Sequence, residues 1–403
     1  MEKIINHLNN RKFVFFGFII FFILLPYFLA SSLGNTLLKK IFFFLIFFSI
    51  FLVIFEFFFL FIYRLRFGFH YKFIKKIPFY KMLHEPHPYL PFVYKKNFSR
   101  TVQENFRYPL HPDLIQPKVS TNNFGFVNGE LGDRNIINPK PEGLIRINCI
   151  GGSTTGNYLI KGNTVYSYPL ELERILKKKY NKNIEVNNFG HGGYNSADIL
   201  ISFILQSIDT KPDYVIIYHA YNDIRSYLTP NFNSDYSHSR KNLGEIYWKY
   251  YLGSKIPDIK LNFINYIINK HLFSSNETYS ILDAIAKNSI NLGQDFRPGL
   301  LIYERNLQHI IDICKNNNIK IILSTFCLYL YPQIKDEKLH ILYDNIVNQE
   351  NEIIRRLVKE NNLILVDASS LIPRTNENFV DIMHFTPKGM TLLAEIISKE
   401  IIF

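Results

Sequence analysis

The sequence predicts an α/β protein in which about five parallel strands form one sheet between two layers of helices, a three-layer α/β/α sandwich. From residue 144 onward, short β-branched apolar runs alternate with longer segments of helical spacing. The run 214–219 is apolar along nearly its whole length, as expected for a parallel strand covered on both faces. Glycines and polar residues follow several strands, and sites in such sheets form at the carboxyl ends of the strands.

The strands and helices are predicted in strict alternation along this region. The strands are expected at 145–150, 184–188, 214–219, 319–326 and 363–367. The helices are expected at 165–180, 197–208, 301–315 and 344–360. A last helix should begin after Thr386, because threonine is a good N-cap and Pro387 suits the first helical position.

Two segments depart from the alternation. Residues 77–143 are rich in proline, asparagine and aromatic residues with little periodicity, which predicts an irregular lead-in to the domain at 144–403. Residues 226–300 carry Trp248 and many tyrosines, and we predict an insertion that shapes a pocket beside the strand ends.

The N-terminal region contains two long apolar runs, at 13–33 and 41–63. Each exceeds the roughly 18 residues typical of a membrane-spanning helix, and neither has a polar face. No small-residue cleavage site follows the first run, which favours a retained anchor over a removed signal peptide. We therefore predict two transmembrane helices forming a hairpin within residues 1–76, joined by residues 34–40.

Basic residues flank this predicted hairpin unevenly. The connection carries only Lys39 and Lys40, whereas the two outer flanks carry Lys3, Arg11, Lys12, Arg64, Arg66, Lys72, Lys75 and Lys76. The positive-inside rule then predicts an inner (cytoplasmic) membrane protein with both hairpin ends and the downstream domain in the cytoplasm, while a periplasmic domain stays an open alternative. Glu56 lies within the second run and is either functional or faces the partner helix.

Charge and cysteine content exclude several classes of function. The net charge of +12 is scattered, its densest run follows the second apolar segment, and no nucleic-acid motif is present, so we expect a membrane surface rather than nucleic acid as a partner. The three cysteines are far apart, and the histidines of the 84–87 segment lack the spacing of a helical zinc site. We therefore predict no metal and no cofactor.

The most informative stretch is the predicted turn after the first strand, Gly151-Gly152-Ser153. Glycine permits the sharp turn, and a serine there has an exposed hydroxyl beside a free backbone N–H. These are the parts of a nucleophile and half of an oxyanion hole. A phosphate-binding glycine loop or a plain βα turn are the alternatives.

Three further polar segments lie at predicted strand ends or before the last helix. They are 188–194, which contains three glycines, 220–223, which contains Asn222, and 381–384, which contains Asp381 and His384. Together with Ser153 they stand in the order of the four blocks of the SGNH (GDSL) hydrolase family, which residues 144–403 therefore resemble. The resemblance implies a flavodoxin-like fold and hydrolysis of an ester substrate through an acyl-serine intermediate.

The resemblance also implies roles for single residues. Ser153 would be the nucleophile, His384 its base, and Asp381 the group that orients the imidazole. The oxyanion hole would consist of Ser153, Gly193 and Asn222. Gly190 and Gly192 compete with Gly193; His191 and His219 are expected to be wall residues, and Asp223 and Asp367 rival acids without a locally paired histidine.

The chain departs from the family pattern in two positions. Gly152 stands where the family has aspartate, and Ala220 stands where it usually has glycine. Neither supplies a reacting group, so we still expect a membrane-anchored serine esterase acting on an acylated lipid or an O-acylated envelope glycan. An O-acyltransferase with the same triad and an inactive membrane scaffold are the alternatives, and the sequence indicates no protein partner.

Overall fold

The computed structural model describes residues 36–67, 83–100, 107–108, 111–115, 119–161, 164–239, 291–330 and 336–403. The chain divides into two compact units. The first comprises Met1–Ile77 and Gly253–Ser274, and only one helix of it is described. The second comprises Pro78–Leu252 and Ser275–Phe403 and contains all other described elements.

The described part of the first unit is helix α1, Thr36–Phe67. It contains the second apolar run but begins earlier than predicted, because the leucines and lysines before that run are good helix formers. The first apolar run, 13–33, lies outside the described residues. Within the described residues, no helix combines the length and the hydropathy that crossing a membrane requires. The transmembrane hairpin thus has no support from these residues.

The second unit is built on a five-stranded parallel sheet, which confirms the predicted α/β class. Its strands are β7 (Ile145–Gly151), β10 (Ile184–Gly190), β11 (Tyr214–Tyr218), β12 (Lys320–Ser324) and β13 (Ile364–Val366). Their order across the sheet is β10-β7-β11-β12-β13. Gly151 is paired with Gly190 on one side and with Tyr218 on the other, so these three strands end at the same edge.

Two groups of helices cover this sheet. The helices are α2 (Ser153–Gly156), α3 (Tyr168–Tyr180), α4 (Ser196–Ser202), α5 (Asn222–Leu228), α6 (Arg297–Asn316), α7 (Glu337–Asn361), α8 (Ala368–Leu371) and α9 (Pro387–Glu400). Helix α3 packs against α9, while α6 packs against α4, α5 and α7. Right-handed crossovers on a sheet of this strand order place the two groups on opposite faces.

Most element boundaries differ from the prediction by a few residues. Helix α3 begins at Tyr168 because the preceding residues form β9 (Thr164–Tyr166), which pairs with β8 (Leu159–Lys161). Helix α4 ends at Ser202 and continues as a π-turn and a 3-10 turn to Thr210. The start of α9 agrees with the prediction, since Thr386 Oγ1 accepts the N–H of Gly389 at 3.2 Å.

The lead-in contains more structure than its composition predicts. Its described residues form six short strands: β1 (His84–Glu85), β2 (Val93–Tyr94), β3 (Ser99–Arg100), β4 (Arg107–Tyr108), β5 (His111–Ile115) and β6 (Val119–Ser120). Strand β1 pairs with β2, β3 with β6, and β5 with both β4 and β8. Two hydrogen bonds also join the lead-in to β10. Asn128 Nδ2 donates to Asn187 Oδ1 at 2.9 Å, and the guanidinium of Arg134 donates to the carbonyl of Val186 at 2.7 Å.

The predicted insertion is described only at its two ends. Helix α5 carries the chain to Leu228, and the N–H of Asn291 donates to the carbonyl of Leu228 at 2.8 Å, which brings the two ends together. Tyr236 folds back into the core and is fully buried. Residues 240–290 lie outside the described residues, so the prediction that the insertion shapes a pocket stays a prediction.

Candidate active site

Ser153 lies on a tight turn between β7 and α2, at the carboxyl edge of the sheet. Glycines make this turn possible by close backbone approach. A Cβ on Gly151 would lie 2.5 Å from the carbonyl oxygen of Tyr218, and a Cβ on Gly190 would lie 2.2 Å from the nitrogen of Gly156. Helix α2 can therefore sit directly on the strand ends, which holds the Ser153 hydroxyl at the surface of the site.

The structure brings the three predicted triad residues into one hydrogen-bonded line. His384 Nε2 lies 2.8 Å from Ser153 Oγ, and His384 Nδ1 lies 2.7 Å from Asp381 Oδ2. Ser153 and His384 are 231 positions apart in the chain, whereas Asp381 and His384 share one local turn. The arrangement is the geometry that a hydroxyl nucleophile, its base and an orienting carboxylate require.

The electrostatics of Asp381 support its orienting position. Burial opposes its ionisation, but the imidazole of His384 and the backbone N–H groups of Met383 and His384 outweigh that effect and lower the pKa of the carboxyl group. Those N–H groups donate to Asp381 Oδ1 at 3.0 and 2.8 Å. An ionised Asp381 accepts the Nδ1–H of His384 and leaves Nε2 free to accept a proton from Ser153.

The backbone N–H of Ser153 and the side chain of Asn222 point to an oxyanion hole. Ser153 is the first residue of α2, where the N–H has no acceptor within the helix. Asn222 begins α5 shortly after the end of β11, and its Nδ2 donates one hydrogen to the carbonyl of Tyr194 at 2.8 Å. The amide carries a second hydrogen that this contact does not use.

The hydrogen bonds at the end of β10 and in the loop after it favour one of three glycines as the other donor. The N–H of Gly190 donates to Asn188 Oδ1 at 2.9 Å, and the N–H of Gly192 donates to the hydroxyl of Tyr94 at 3.4 Å. Gly193 adopts a φ of 80°, a left-handed conformation that favours glycine. Of the three candidates, Gly193 is thus the one whose N–H these contacts leave available.

The departure at Gly152 has a physical explanation in the structure. A Cβ at this position would lie 2.6 Å from Asn222 Nδ2 and 3.5 Å from His219 Nδ1. The first distance is shorter than any tolerable contact, so the amide of Asn222 occupies the space that a side chain at residue 152 would need. The position of the Asn222 amide therefore requires glycine at residue 152 in this chain.

The lead-in forms one wall of the site, which sequence reasoning missed. The ring of His191 is stacked between those of Tyr94 and Tyr194, with centroid distances of 3.7 and 4.1 Å. Phe92 lies against Gly193, and its carbonyl accepts the hydroxyl of Tyr194. Burial, and then the nearby His84, lower the pKa of His191 well below its ordinary value. An uncharged aromatic stack thus supports the glycine loop.

The prediction that Asp223 has no locally paired histidine is wrong. His219 Nε2 lies 2.6 Å from Asp223 Oδ2, and both side chains are buried. The pair was missed because His219 follows strand β11 and Asp223 lies in helix α5, although their spacing of four residues was visible in the sequence. Asp367, the other rival acid, accepts hydrogen bonds from Arg355 and Thr325, both at 2.8 Å.

The described residues contain no group of three or more His, Cys, Asp or Glu side chains suited to a metal ion. The three cysteines are buried and unpaired. Burial raises the pKa of the Cys314 and Cys327 thiols to about 12 and about 11, so both are neutral at physiological pH. These cysteines therefore act as core residues.

Comparisons with known proteins identify one family. Residues 149–392 match the family described as GDSL-like Lipase/Acylhydrolase. A GDSL-like lipase from Bacteroides thetaiotaomicron is similar at 15% identity and a TM-score of 0.35, covering 63% of this chain and 86% of its own. An acetylxylan esterase from Geobacillus stearothermophilus (19%, TM-score 0.38) and a lipase/acylhydrolase from Enterococcus faecalis (17%, TM-score 0.38) each cover 64% of this chain and 94% of their own. No curated protein matches the chain.

The family assignment rests on the family match, which spans more than half of the chain. The matched region contains Ser153, Gly193, Asn222, Asp381 and His384. The prediction of a GDSL-type serine esterase is thereby confirmed, and the chain belongs to the GDSL-like lipase/acylhydrolase family.

Proposed function

We propose that this protein hydrolyses a carboxylic ester through an acyl-enzyme formed on Ser153. The observation that carries the proposal is the continuous contact from Asp381 through His384 to Ser153, with distances of 2.7 and 2.8 Å. A serine hydroxyl is a weak nucleophile without an adjacent base, and this arrangement provides the base.

In the first half-reaction, Ser153 Oγ attacks the ester carbonyl carbon while its proton moves to His384 Nε2. Asp381 stabilises the imidazolium that forms. Hydrogen bonds from the N–H of Ser153, the N–H of Gly193 and the free Nδ2–H of Asn222 stabilise the negative charge on the tetrahedral oxygen. The intermediate then collapses, His384 protonates the departing alkoxide, and the acyl group stays on Ser153.

In the second half-reaction, water replaces the alcohol. His384 removes a proton from water as it attacks the acyl carbon, and the same three donors stabilise the second tetrahedral intermediate. His384 then returns the proton to Ser153 Oγ as the carboxylic acid leaves. If a sugar hydroxyl replaced water in this step, the product would be a new ester, so product analysis distinguishes hydrolysis from acyl transfer.

The proposal extends to anchoring in the inner (cytoplasmic) membrane and to an acylated lipid or an O-acylated envelope glycan as substrate. Two long apolar runs and basic flanks in the sequence support it. Helix α1 also exposes large apolar side chains, among them Phe44 and Phe47 at 66% and 70% exposure. Carbonate extraction should leave the full chain in the membrane fraction, and release of intact protein would contradict the anchoring.

The side of the membrane is a separate part of the proposal. The excess of lysine and arginine on the outer flanks supports a cytoplasmic domain. Reporter enzymes fused after Lys76 should therefore show a cytoplasmic location. A periplasmic reading would reverse the orientation while leaving the proposed chemistry unchanged.

Labelling with a fluorophosphonate probe tests the nucleophile and the donors separately. Ser153→Ala should abolish labelling, and His384→Ala should nearly do so, because the hydroxyl then lacks its base. Asn222→Ala should slow labelling and lower kcat by about 10²–10³ while KM changes little, because the donor acts on the transition state. Full esterase activity in folded Ser153→Ala would contradict the proposal.

A further inference from the structure

Behind the three proposed donors lies a buried carboxylate, Asp223, which is fully inaccessible to solvent. Ser196 and His219 contribute three hydrogen bonds to it. The N–H and the hydroxyl of Ser196 donate to its two oxygens at 2.8 and 2.6 Å, and His219 Nε2 lies 2.6 Å from Oδ2. An ionisable group buried to this degree is retained only where such contacts compensate its desolvation.

Through Ser196, the carboxylate holds the loop that carries Gly193. Ser196 is the first residue of α4, three positions after Gly193, and its hydroxyl also accepts a hydrogen bond from Asn306 Nδ2 at 2.9 Å. Tyr194, the residue after Gly193, contributes the carbonyl that accepts Asn222 Nδ2. The position of the glycine loop is thus linked directly to Asp223.

Through His219, the same carboxylate reaches the other side of the proposed oxyanion hole. His219 is buried. A Cβ on Gly152 would lie 3.5 Å from His219 Nδ1 and 2.6 Å from Asn222 Nδ2, so both side chains lie close to the same point beside Gly152. The carbonyl of His219 accepts the hydroxyl of Tyr303 from α6 at 2.6 Å. His219 is therefore held at both its ring and its backbone, and its Nδ1 lies close to Gly152 in the turn that leads into Ser153.

We propose that Asp223 and His219 are a positioning pair for the oxyanion hole, holding the Gly193 loop, the Asn222 amide and the turn before Ser153 in one geometry. The inference rests on the proposed role of Asn222 and Gly193 as oxyanion donors. The pair is proposed to touch neither the substrate nor the reacting atoms. It acts through the donors, because displacing a catalytic group by about 1 Å can cost about 10²-fold in rate.

Asp223→Asn is the direct test, since it keeps the shape of the side chain while weakening its acceptance of the Ser196 and His219 hydrogen bonds. We expect kcat for a chromogenic ester to fall about tenfold to hundredfold, with KM changed less than about twofold. His219→Phe keeps a ring in the same space and removes its nitrogens, and should act in the same direction. Circular dichroism and thermal melting establish that each variant is folded.

A double-mutant cycle with Asn222→Ala separates positioning from a general structural role. If Asp223 acts through the Asn222 donor, adding Asp223→Asn to Asn222→Ala should lower kcat by less than about threefold further. If the two effects multiply in full, the pair does not hold the Asn222 amide, which overturns the proposal that it keeps all three donors in one geometry. Should Asp223→Asn fail to fold, His219→Phe and Ser196→Ala provide the same cycle.

Asp367→Asn serves as the matched control, because Asp367 also follows a strand and accepts hydrogen bonds from a hydroxyl group, that of Thr325. Its kcat should stay within about twofold of the parent enzyme. An unchanged kcat in Asn222→Ala contradicts the proposed donors, whereas a lowered kcat there with an unchanged kcat in folded Asp223→Asn contradicts only the positioning pair.

Discussion

Replacing Gly152 with alanine would place one methyl group beside the proposed oxyanion hole. The backbone at Gly152 has φ −82° and ψ −150°, so its φ lies outside the left-handed region that favours glycine. The new Cβ, however, would lie 2.6 Å from Asn222 Nδ2, where ordinary contacts begin at 3.4 Å. The side chain of Asn222 must therefore move away by about 1 Å, a displacement large enough to affect the rate.

The expected loss follows from the function proposed for that amide. Removing one oxyanion donor costs about 10²–10³ in kcat, or about 2.7–4 kcal/mol of transition-state stabilisation. Gly152→Ala should approach this loss while KM changes little. Crowding of the buried turn should also lower the free energy of unfolding by about 1–3 kcal/mol. Because both substitutions disable the same donor, the Gly152→Ala, Asn222→Ala double variant should be no slower than Asn222→Ala alone.

The assay is steady-state hydrolysis of a chromogenic acetate ester, together with the rate of fluorophosphonate labelling at Ser153. Gly293→Ala is a suitable control, because a Cβ there would meet only the Asn291 side chain at 3.5 Å and the residue is exposed. Its kcat and melting temperature should match those of the parent enzyme. A folded Gly152→Ala variant with kcat within twofold of the parent would refute the reasoning.

Three further predictions concern the groups around the triad and the glycine loop. His191→Phe should remove a pH dependence of stability. Because the pKa of His191 is lowered in the folded protein, the unfolded chain binds more protons below about pH 6.5. The free energy of unfolding of the parent protein should therefore fall as the pH drops below that value, by up to about 1.4 kcal/mol per pH unit. Thermal melts between pH 5 and 8 check this, and parallel curves for both proteins would contradict it. Tyr94→Phe deletes the acceptor for the N–H of Gly192 and should lower kcat by less than about tenfold, consistent with about 1 kcal/mol for one hydrogen bond. A loss as large as that of Asn222→Ala would contradict this minor contribution of the Tyr94 contact. Asp381→Asn removes the group that sets the tautomer of His384 and should lower kcat by about 10⁴ with little change in KM, and a loss below tenfold would contradict the triad.

The parts of the fold that follow from local chemistry were predictable from the sequence. The alternation of apolar strands and amphipathic helices indicated a parallel sheet, because each element must bury one face or both. The start of the last helix was also predictable, since Thr386 caps it through a contact only three residues away. The contact between Asp381 and His384 is of the same kind, within one turn of chain.

The meeting of Ser153 with His384 was predictable for a different reason. The two residues are far apart in the chain, yet one precedes the last helix and the other follows the first strand of a parallel sheet. Parallel strands place their carboxyl ends at one edge, so segments at that edge converge whatever their separation. The resemblance to a known family added which of the polar residues to choose.

Other features were decided only by the tertiary structure. The sequence established the class of fold, the edge at which the site forms and the residue types available there. Packing decided that Tyr94 of the lead-in supports the glycine loop, that Asn222 occupies the space above Gly152, and that Asp223 pairs with His219. Each of these depends on which side chain fills a given space between elements distant in the chain, and periodicity in the sequence records only which face of an element is buried.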